Sequence, residues 1–169
     1  MGKERDFRVK IIEAQMKDNL IVKSSKIREF IQMGEGEVAN RLLGWKYGIK
    51  GEVIKGEGRG KGLGFPTANI KPNKTLHPGV GVYAVWVTFD EKQFPGAMNI
   101  GYNPTFNGQE ISFEVFLLDF DQNIYGEEIE VAFVARIRPD KTFASPDELI
   151  AQIEHDVIEA RKILGRNRP

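Results

Sequence analysis

The chain of 169 residues contains no cysteine. That removes disulfide cross-links, thiolate nucleophiles and sulfur-liganded zinc sites, and it suits a reducing compartment. Histidine is nearly as scarce: His77 and His155 stand alone, away from any metal-ligand spacing, and are expected to be surface or packing residues. There is no charge excess, with 24 Lys and Arg against 24 Asp and Glu. Bulk electrostatics therefore gives no reason to expect a nucleic acid or a membrane surface as partner. No apolar run approaches the roughly 18 residues of a membrane span, and the start lacks a signal-peptide core, so the protein is expected in the cytoplasm. The length allows one domain plus an appendage, large enough to bury a core unaided by disulfides or a structural metal.

What charge there is lies unevenly. The first fifty residues and the glycine-rich stretch after them are basic on balance, and the remainder is acidic. An anionic ligand held at the junction would suit that arrangement.

Residues 1–44 read differently from the rest. Phe7, Val9 and Ile11 alternate with Arg8 and Lys10, which predicts one short strand. Ser24 and Ser25 can cap a helix that carries Ile27, Phe30 and Ile31 on one face and stops at Gly34. A second helix carries Val38, Leu42 and Leu43 and stops at Gly44. That fragment has little core of its own, so it would be partly disordered or would serve as a packing surface for the strands after it.

From Tyr47 the period shortens to that of strands: 47–55, 80–89, 94–101, 111–121 and 127–138. The last is the clearest, with Ile129, Val131, Phe133, Ala135 and Ile137 alternating against Glu128, Glu130, Arg136 and Arg138. Spacers such as Asp90-Glu91-Lys92 and Asp121-Gln122-Asn123 are too short for helical crossovers, so the sheet should be antiparallel, and five or six such strands should close into a barrel. Ser145-Pro146-Asp147-Glu148 joins a cap, a proline at the first helical position and a capping-box glutamate. It opens a helix with Leu149, Ile150, Ile153 and Val157 on one stripe, expected against the barrel.

Two stretches could carry chemistry. Between Gly56 and Gly64 five glycines share nine positions with Arg59 and Lys61. Such a loop can bring bare backbone N–H groups against phosphate oxygens. It meets neither the P-loop spacing nor the dinucleotide fingerprint, and glycine content alone does not separate a phosphate cradle from a flexible hairpin. Phe65-Pro66-Thr67-Ala68-Asn69 follows at once, placing a hydroxyl and a carboxamide two apart on one side of an extended segment. Hard oxygens of that kind suit Mg²⁺ shared with substrate phosphates, although a plain turn would use the same residues. Asp119, Asp121, Asn123 and Glu130 match four positions of a calcium loop, but Ile124 stands where that loop needs glycine, so a tight turn with solvated acids is expected.

The run Gly51-Glu52-Val53, Gly56, Gly58-Arg59-Gly60 and Leu63-Gly64-Phe65-Pro66-Thr67-Ala68-Asn69 resembles the signature of riboflavin kinases, including the C-terminal module of bacterial bifunctional riboflavin kinase/FAD synthetases. Further matches follow in the family's order: Gly81 to Ala84, Asn99-Ile100-Gly101 with Pro104-Thr105-Phe106, Glu114 to Asp119, Tyr125-Gly126, Arg138-Pro139 with Lys141 and Phe143, and Asp156. Ser24-Ser25-Lys26-Ile27-Arg28 is similar to an element near the end of the adenylyltransferase domain of the bifunctional enzymes.

The resemblance implies a mainly β fold, a six-stranded antiparallel Greek-key barrel with a C-terminal helix over residues 45–169. Residues 1–44 would be the short helical remnant of an adenylyltransferase domain belonging to a longer parent. It implies transfer of the γ-phosphate of ATP, with Mg²⁺, to the ribityl hydroxyl of riboflavin, giving FMN. Gly56, Gly58, Arg59, Gly60, Lys61, Gly64, Pro66 and Thr67 would hold ATP, and Thr67 and Asn69 would serve the metal. Glu114 would be the catalytic base, and Arg138 and Lys141 would contact the flavin from a flap. The alternation agrees on one point: Ile111, Phe113, Val115 and Leu117 share a face, and Glu114 lies opposite with Phe116 and Leu118. Several family members carry histidine where this chain has Phe116, so any polar role there is lost. FAD synthesis is not expected of this chain. A non-catalytic flavin-binding barrel is the alternative, and Glu114 separates the two readings, since a mere binder has no use for a carboxylate facing a metal-phosphate site.

Overall fold

The computed structural model describes residues 10, 13–56, 59–105 and 108–166, the side chains at 59, 61, 104, 105, 108 and 109 excepted. The strand expected at Phe7 to Ile11, Gly58 and the family match at Phe106 lie outside the described residues. Two-residue strands β1 (Met16–Lys17) and β2 (Leu20–Ile21) pair across Asp18-Asn19, whose φ angles of 50° and 59° make the tight turn a right-twisted hairpin prefers.

Helices α1 (Ser24–Met33) and α2 (Gly36–Leu43) follow. The serines do not cap α1. Lys23 holds the extended backbone of the N-cap, so the helix begins one residue early and takes both serines inside. The predicted stops are observed: Gly34 and Gly44 adopt φ of 80° and 84°. At Gly34 the paired bonds from Gly34 N–H to Ile31 O and from Glu35 N–H to Phe30 O form a Schellman motif.

Six antiparallel strands then close a barrel: β3 (Gly48–Ile54), β4 (Ala68–Pro72), β5 (Gly81–Phe89), β6 (Lys92–Thr105), β7 (Gly108–Leu117) and β8 (Glu128–Arg138), in the order β3-β4-β7-β6-β5-β8. β5, β6 and β7 are successive neighbours and β8 returns beside β5, which is the Greek-key arrangement. Alternation sorts the side chains. Val85, Val87, Met98, Ile100, Phe113, Val115, Val131 and Phe133 fill the interior. Ala84, Leu118 and Val134 face outward and are covered by Ala160 and Leu164 of α4 (Pro146–Arg166).

The capping residues of α4 behave as expected. Ser145 Oγ accepts from Glu148 N–H at 3.3 Å, and the Glu148 carboxylate accepts from Ala144 N–H at 3.1 Å. The stripe, however, divides. Only the C-terminal half of the helix seals onto the barrel, while Leu149, Ile153 and Val157 stay partly exposed along a cleft.

The N-terminal helices dock on the barrel as well. Ile27, Ile31, Ala39 and Leu42 form a small cluster completed by Tyr47 and Leu76. Arg136 donates to Met33 O at the end of α1 and to Val80 O, at 3.4 and 2.6 Å.

Candidate active site

Glu114 sits in the middle of β7, opposite Asn69 of β4 on one side and Asn99 of β6 on the other. As the alternation requires, it faces outward with Phe116, away from Phe113 and Val115. Thr67, in the extended entry to β4, donates its hydroxyl to Glu114 Oε2 at 3.3 Å. The hydroxyl and carboxylate singled out separately in the sequence are therefore neighbours.

The glycine stretch does not form a loose hairpin. Arg59–Gly62 make one helical turn, α3, and Leu63 and Phe65 N–H return to Gly60 O at 3.1 and 2.9 Å. Two glycines are required by contact rather than by flexibility. A Cβ on Gly60 would strike Phe65 O and sit 3.2 Å from Thr67 Oγ1, and one on Gly56 would overlap the Asn69 carboxamide. The turn and the Pro66-Thr67-Ala68-Asn69 segment are thus one packed unit, with Gly64 at φ 86° reversing the chain between them.

Two cavities meet at Thr67. One, about 360 Å³, lies at the barrel mouth between Val53, Pro66, Thr67 and Ala68 and the loop from Phe120 to Tyr125. The second, about 300 Å³, is the cleft between the outer barrel face and the N-terminal half of α4. Its walls are largely apolar (Leu63, Phe65, Val82, Phe116, Phe143, Ile153). Thr67, which also lines the first cavity, Glu114, Asn99 and Asn103 supply polar groups along the barrel, and Arg138, Asp140, Lys141 and Asp156 supply the rest.

Arg138 does not point freely into the cleft. Its Nε and a terminal nitrogen hold the Asp156 carboxylate at 2.9–3.0 Å, and Gln152 donates to the same carboxylate at 2.9 Å. Asp156 is only 3% exposed, which leaves its charge dependent on these donors. The Arg138 guanidinium also lies 5.6 Å over the Phe143 ring, and Lys141 Nζ lies 5.2 Å from it. The segment after β8 therefore folds over the cleft around one aromatic ring.

Some lining residues were missed in the sequence. Asn99, Phe143 and Asp156 fell within family matches but carried no assigned role, and the Phe120–Tyr125 loop read as a plain turn. The buried Ile124 was the available signal, an apolar residue set among acids. Asp119 at the head of that loop is tied to Arg161 of α4 by two parallel bonds of 2.8 Å. The pairing holds the Asp119 carboxyl below its ordinary range and raises the guanidinium. Among the described residues no group of three or more His, Asp or Glu could hold a metal by itself.

Residues 43–164 match the riboflavin kinase (flavokinase) family. The chain belongs to that family. Among its relatives, the bifunctional riboflavin kinase/FMN adenylyltransferase of Listeria monocytogenes is 43% identical over 95% of this chain and 52% of its own length. The Bacillus subtilis enzyme of that name is 42% identical over 94% of this chain and 51% of its own, and the Escherichia coli one 37% over 99% and 54%. The chain thus spans about half the length of these relatives. Among solved structures, riboflavin kinase from Trypanosoma brucei superposes with a TM-score of 0.50 over 72% of this chain and 80% of its own, at 24% identity, a likeness of fold. A structure described as a macrolide-efflux protein from Streptococcus pneumoniae superposes at 0.87 over 94% of this chain and 53% of its own, at 34% identity. That description names a different activity from the sequence relatives. No helix among the described residues is long and apolar enough to cross a membrane.

Proposed function

We propose that this chain is a riboflavin kinase module that moves the γ-phosphoryl group of ATP onto the 5′-hydroxyl of the riboflavin ribityl chain. One observation carries the reading: the Thr67–Glu114 contact lies where the two cavities meet. ATP occupies the mouth cavity with its base toward Phe120 and Tyr125. Its phosphates run past Pro66 and Thr67 onto the backbone of Gly56, Arg59, Gly60, Lys61 and Gly64. Riboflavin lies in the apolar cleft with its ribityl end toward Glu114. The Glu114 carboxylate accepts the hydroxyl proton as that oxygen bonds to the γ-phosphorus in line with the departing ADP oxygen. Lys141 and Arg138 border the flavin; with the Arg138 charge taken by Asp156, its part is to shape the wall through Phe143.

The donor set fits Mg²⁺. Thr67 Oγ1 and the Asn69 carboxamide oxygen are hard ligands beside a glycine cradle that any Cβ would fill, and the scarcity of protein carboxylates suits an ion that arrives with phosphates. Bound there, Mg²⁺ would neutralise charge on the phosphate oxygens. Residues 1–44 are proposed as the end of an adenylyltransferase half within a longer cytoplasmic parent, and FMN adenylylation is not assigned to this chain.

The test is to incubate the protein with riboflavin, ATP and Mg²⁺ and follow FMN by chromatography, with Glu114→Gln in parallel. The parent should form FMN, and the variant should lose a factor of about 10²–10⁴ while still binding riboflavin, the usual range for a general base. Flavin bound by the parent but never phosphorylated would leave a non-catalytic flavin-binding barrel instead.

A further inference from the structure

The approach to β4 is held beside β7 by two side-chain contacts. Ala68 stands opposite Val115 and Asn69 opposite Glu114, and the preceding residues continue alongside. One contact is the Thr67–Glu114 hydrogen bond, at 3.3 Å long for a bond between oxygens. The other is the edge-to-face packing of Phe65 on Phe116, with ring centroids 5.5 Å apart and planes at 81°.

These contacts differ in what the reaction does to them. On the proposed function the Glu114 carboxylate also accepts the substrate proton and the Thr67 oxygen also faces metal and phosphate, so the polar contact is shared with the substrates. The aromatic contact uses no group that the chemistry needs. Behind Phe65 the chain is a glycine-rich turn closed by main-chain bonds to Gly60 O, so a shift of Phe65 carries the packed Pro66-Thr67-Ala68-Asn69 unit with it. We propose that Phe116 is a positioning residue: packed on Phe65, it keeps Thr67 in register with Glu114 while their long mutual hydrogen bond is shared with substrate. The inference rests on the function proposed above.

Both rings also line the flavin cleft, so riboflavin affinity cannot separate positioning from simple contact. Nucleotide affinity can, because neither ring borders the mouth cavity. Phe116→Leu, Phe65→Leu, the double variant and Phe116→Tyr are titrated with Mg²⁺·ADP by calorimetry, with FMN formation and melting curves recorded alongside. Each leucine variant should bind Mg²⁺·ADP about threefold to tenfold more weakly, the range an aromatic pair supports. The double variant should be no worse than the worse single one, and Phe116→Tyr, which keeps the ring, should match the parent. Unchanged Mg²⁺·ADP affinity in the leucine variants, or losses that simply multiply in the double, would overturn the proposal. Should the leucine variants not fold, Phe116→His keeps a smaller ring on Phe65 and must bind Mg²⁺·ADP nearly as the parent does. A parent that binds Mg²⁺·ADP but makes no FMN refutes the kinase reading, and the titrations still decide the role of Phe116.

Discussion

Arg138 at the end of β8 and Asp156 in the middle of α4 form a two-pronged ion pair, with the carboxylate buried and the guanidinium nearly so. The pair joins the strand that leads into the segment over the cleft to the helix that forms the opposite wall. Replacing one member leaves the other charge buried and uncompensated. Asp156→Leu alone should therefore cost about 3 kcal/mol, a fall in melting temperature of roughly 6–12 °C for a chain of this size. Arg138→Met combined with Asp156→Leu should recover most of that loss, because a packed apolar pair removes the desolvation cost as well as the attraction. Riboflavin affinity, by contrast, should stay weak in the double variant. Recovery of both stability and affinity would reduce the pair to a structural detail.

Gly60 gives a sharper test of the proposed phosphate cradle. A methyl group there meets Phe65 O and Thr67 Oγ1, so Gly60→Ala must displace the entry to β4. Overpacking of this kind costs about 1–3 kcal/mol where it acts. The expected result is a raised KM for ATP and a lowered kcat, with riboflavin binding intact and a melting temperature about 2–12 °C below that of the parent. Gly62→Ala, where a Cβ meets nothing within 4 Å, is the control and should behave as the parent.

How much of this was legible in the sequence depended on how many faces of an element are covered. β8 has a wet face at its start, so Glu128 and Glu130 against Ile129 and Val131 declared it at once. β4 did not: five residues with one buried side chain, Ile70, flanked by Asn69 and Lys71, give no period, and it read only as an extended segment. The β1–β2 hairpin was missed for the same reason, having two exposed residues on each strand. Glu114 was singled out through the family resemblance, and the alternation agreed with it, since its neighbours on the outward face, Phe116 and Leu118, are apolar. The Arg138–Asp156 pair was not, since its members lie on a strand and a helix 18 residues apart, and only the fold brings them together.

The tie between Asp119 and Arg161 should show in the acid limb of stability. The guanidinium holds the Asp119 carboxyl below its ordinary value near 3.8, so the folded state binds that proton less readily than the unfolded chain. Stability from this group is then present above about pH 4 and is lost as pH falls through the lower folded-state value. Urea midpoints of the parent and Asp119→Asn should differ by a constant amount between about pH 5 and 8, as both pairing partners are fully charged there. The two curves should draw together below about pH 4. A difference that persists at pH 2 would mean that the substitution has disturbed the turn, where Asp119 sits at φ 58°, rather than the charge pair.

Asn40 decides whether the boundary near residue 44 is a folding boundary at all. Its carboxamide donates to Phe133 O of β8 at 2.8 Å and accepts from Tyr47 N–H, at the entrance to β3, at 2.6 Å. One side chain of α2 thus bonds to the backbone of β8 and to that of the approach to β3. If residues 1–44 were only a passenger, Asn40→Ala would behave as a surface substitution and move stability by less than about 0.5 kcal/mol. We expect a loss of about 2–3 kcal/mol instead, because a part-buried N–H and C=O each lose this partner. Asn40→Asp separates the two bonds: it keeps the acceptor for Tyr47 and places a carboxylate against Phe133 O, so it should be at least as damaging as alanine. A single cooperative unfolding transition in all three proteins, shifted together, would show that α2 and the barrel melt as one unit. Two transitions, with only the smaller one shifted by the substitutions, would place the folding boundary back between the helices and the barrel.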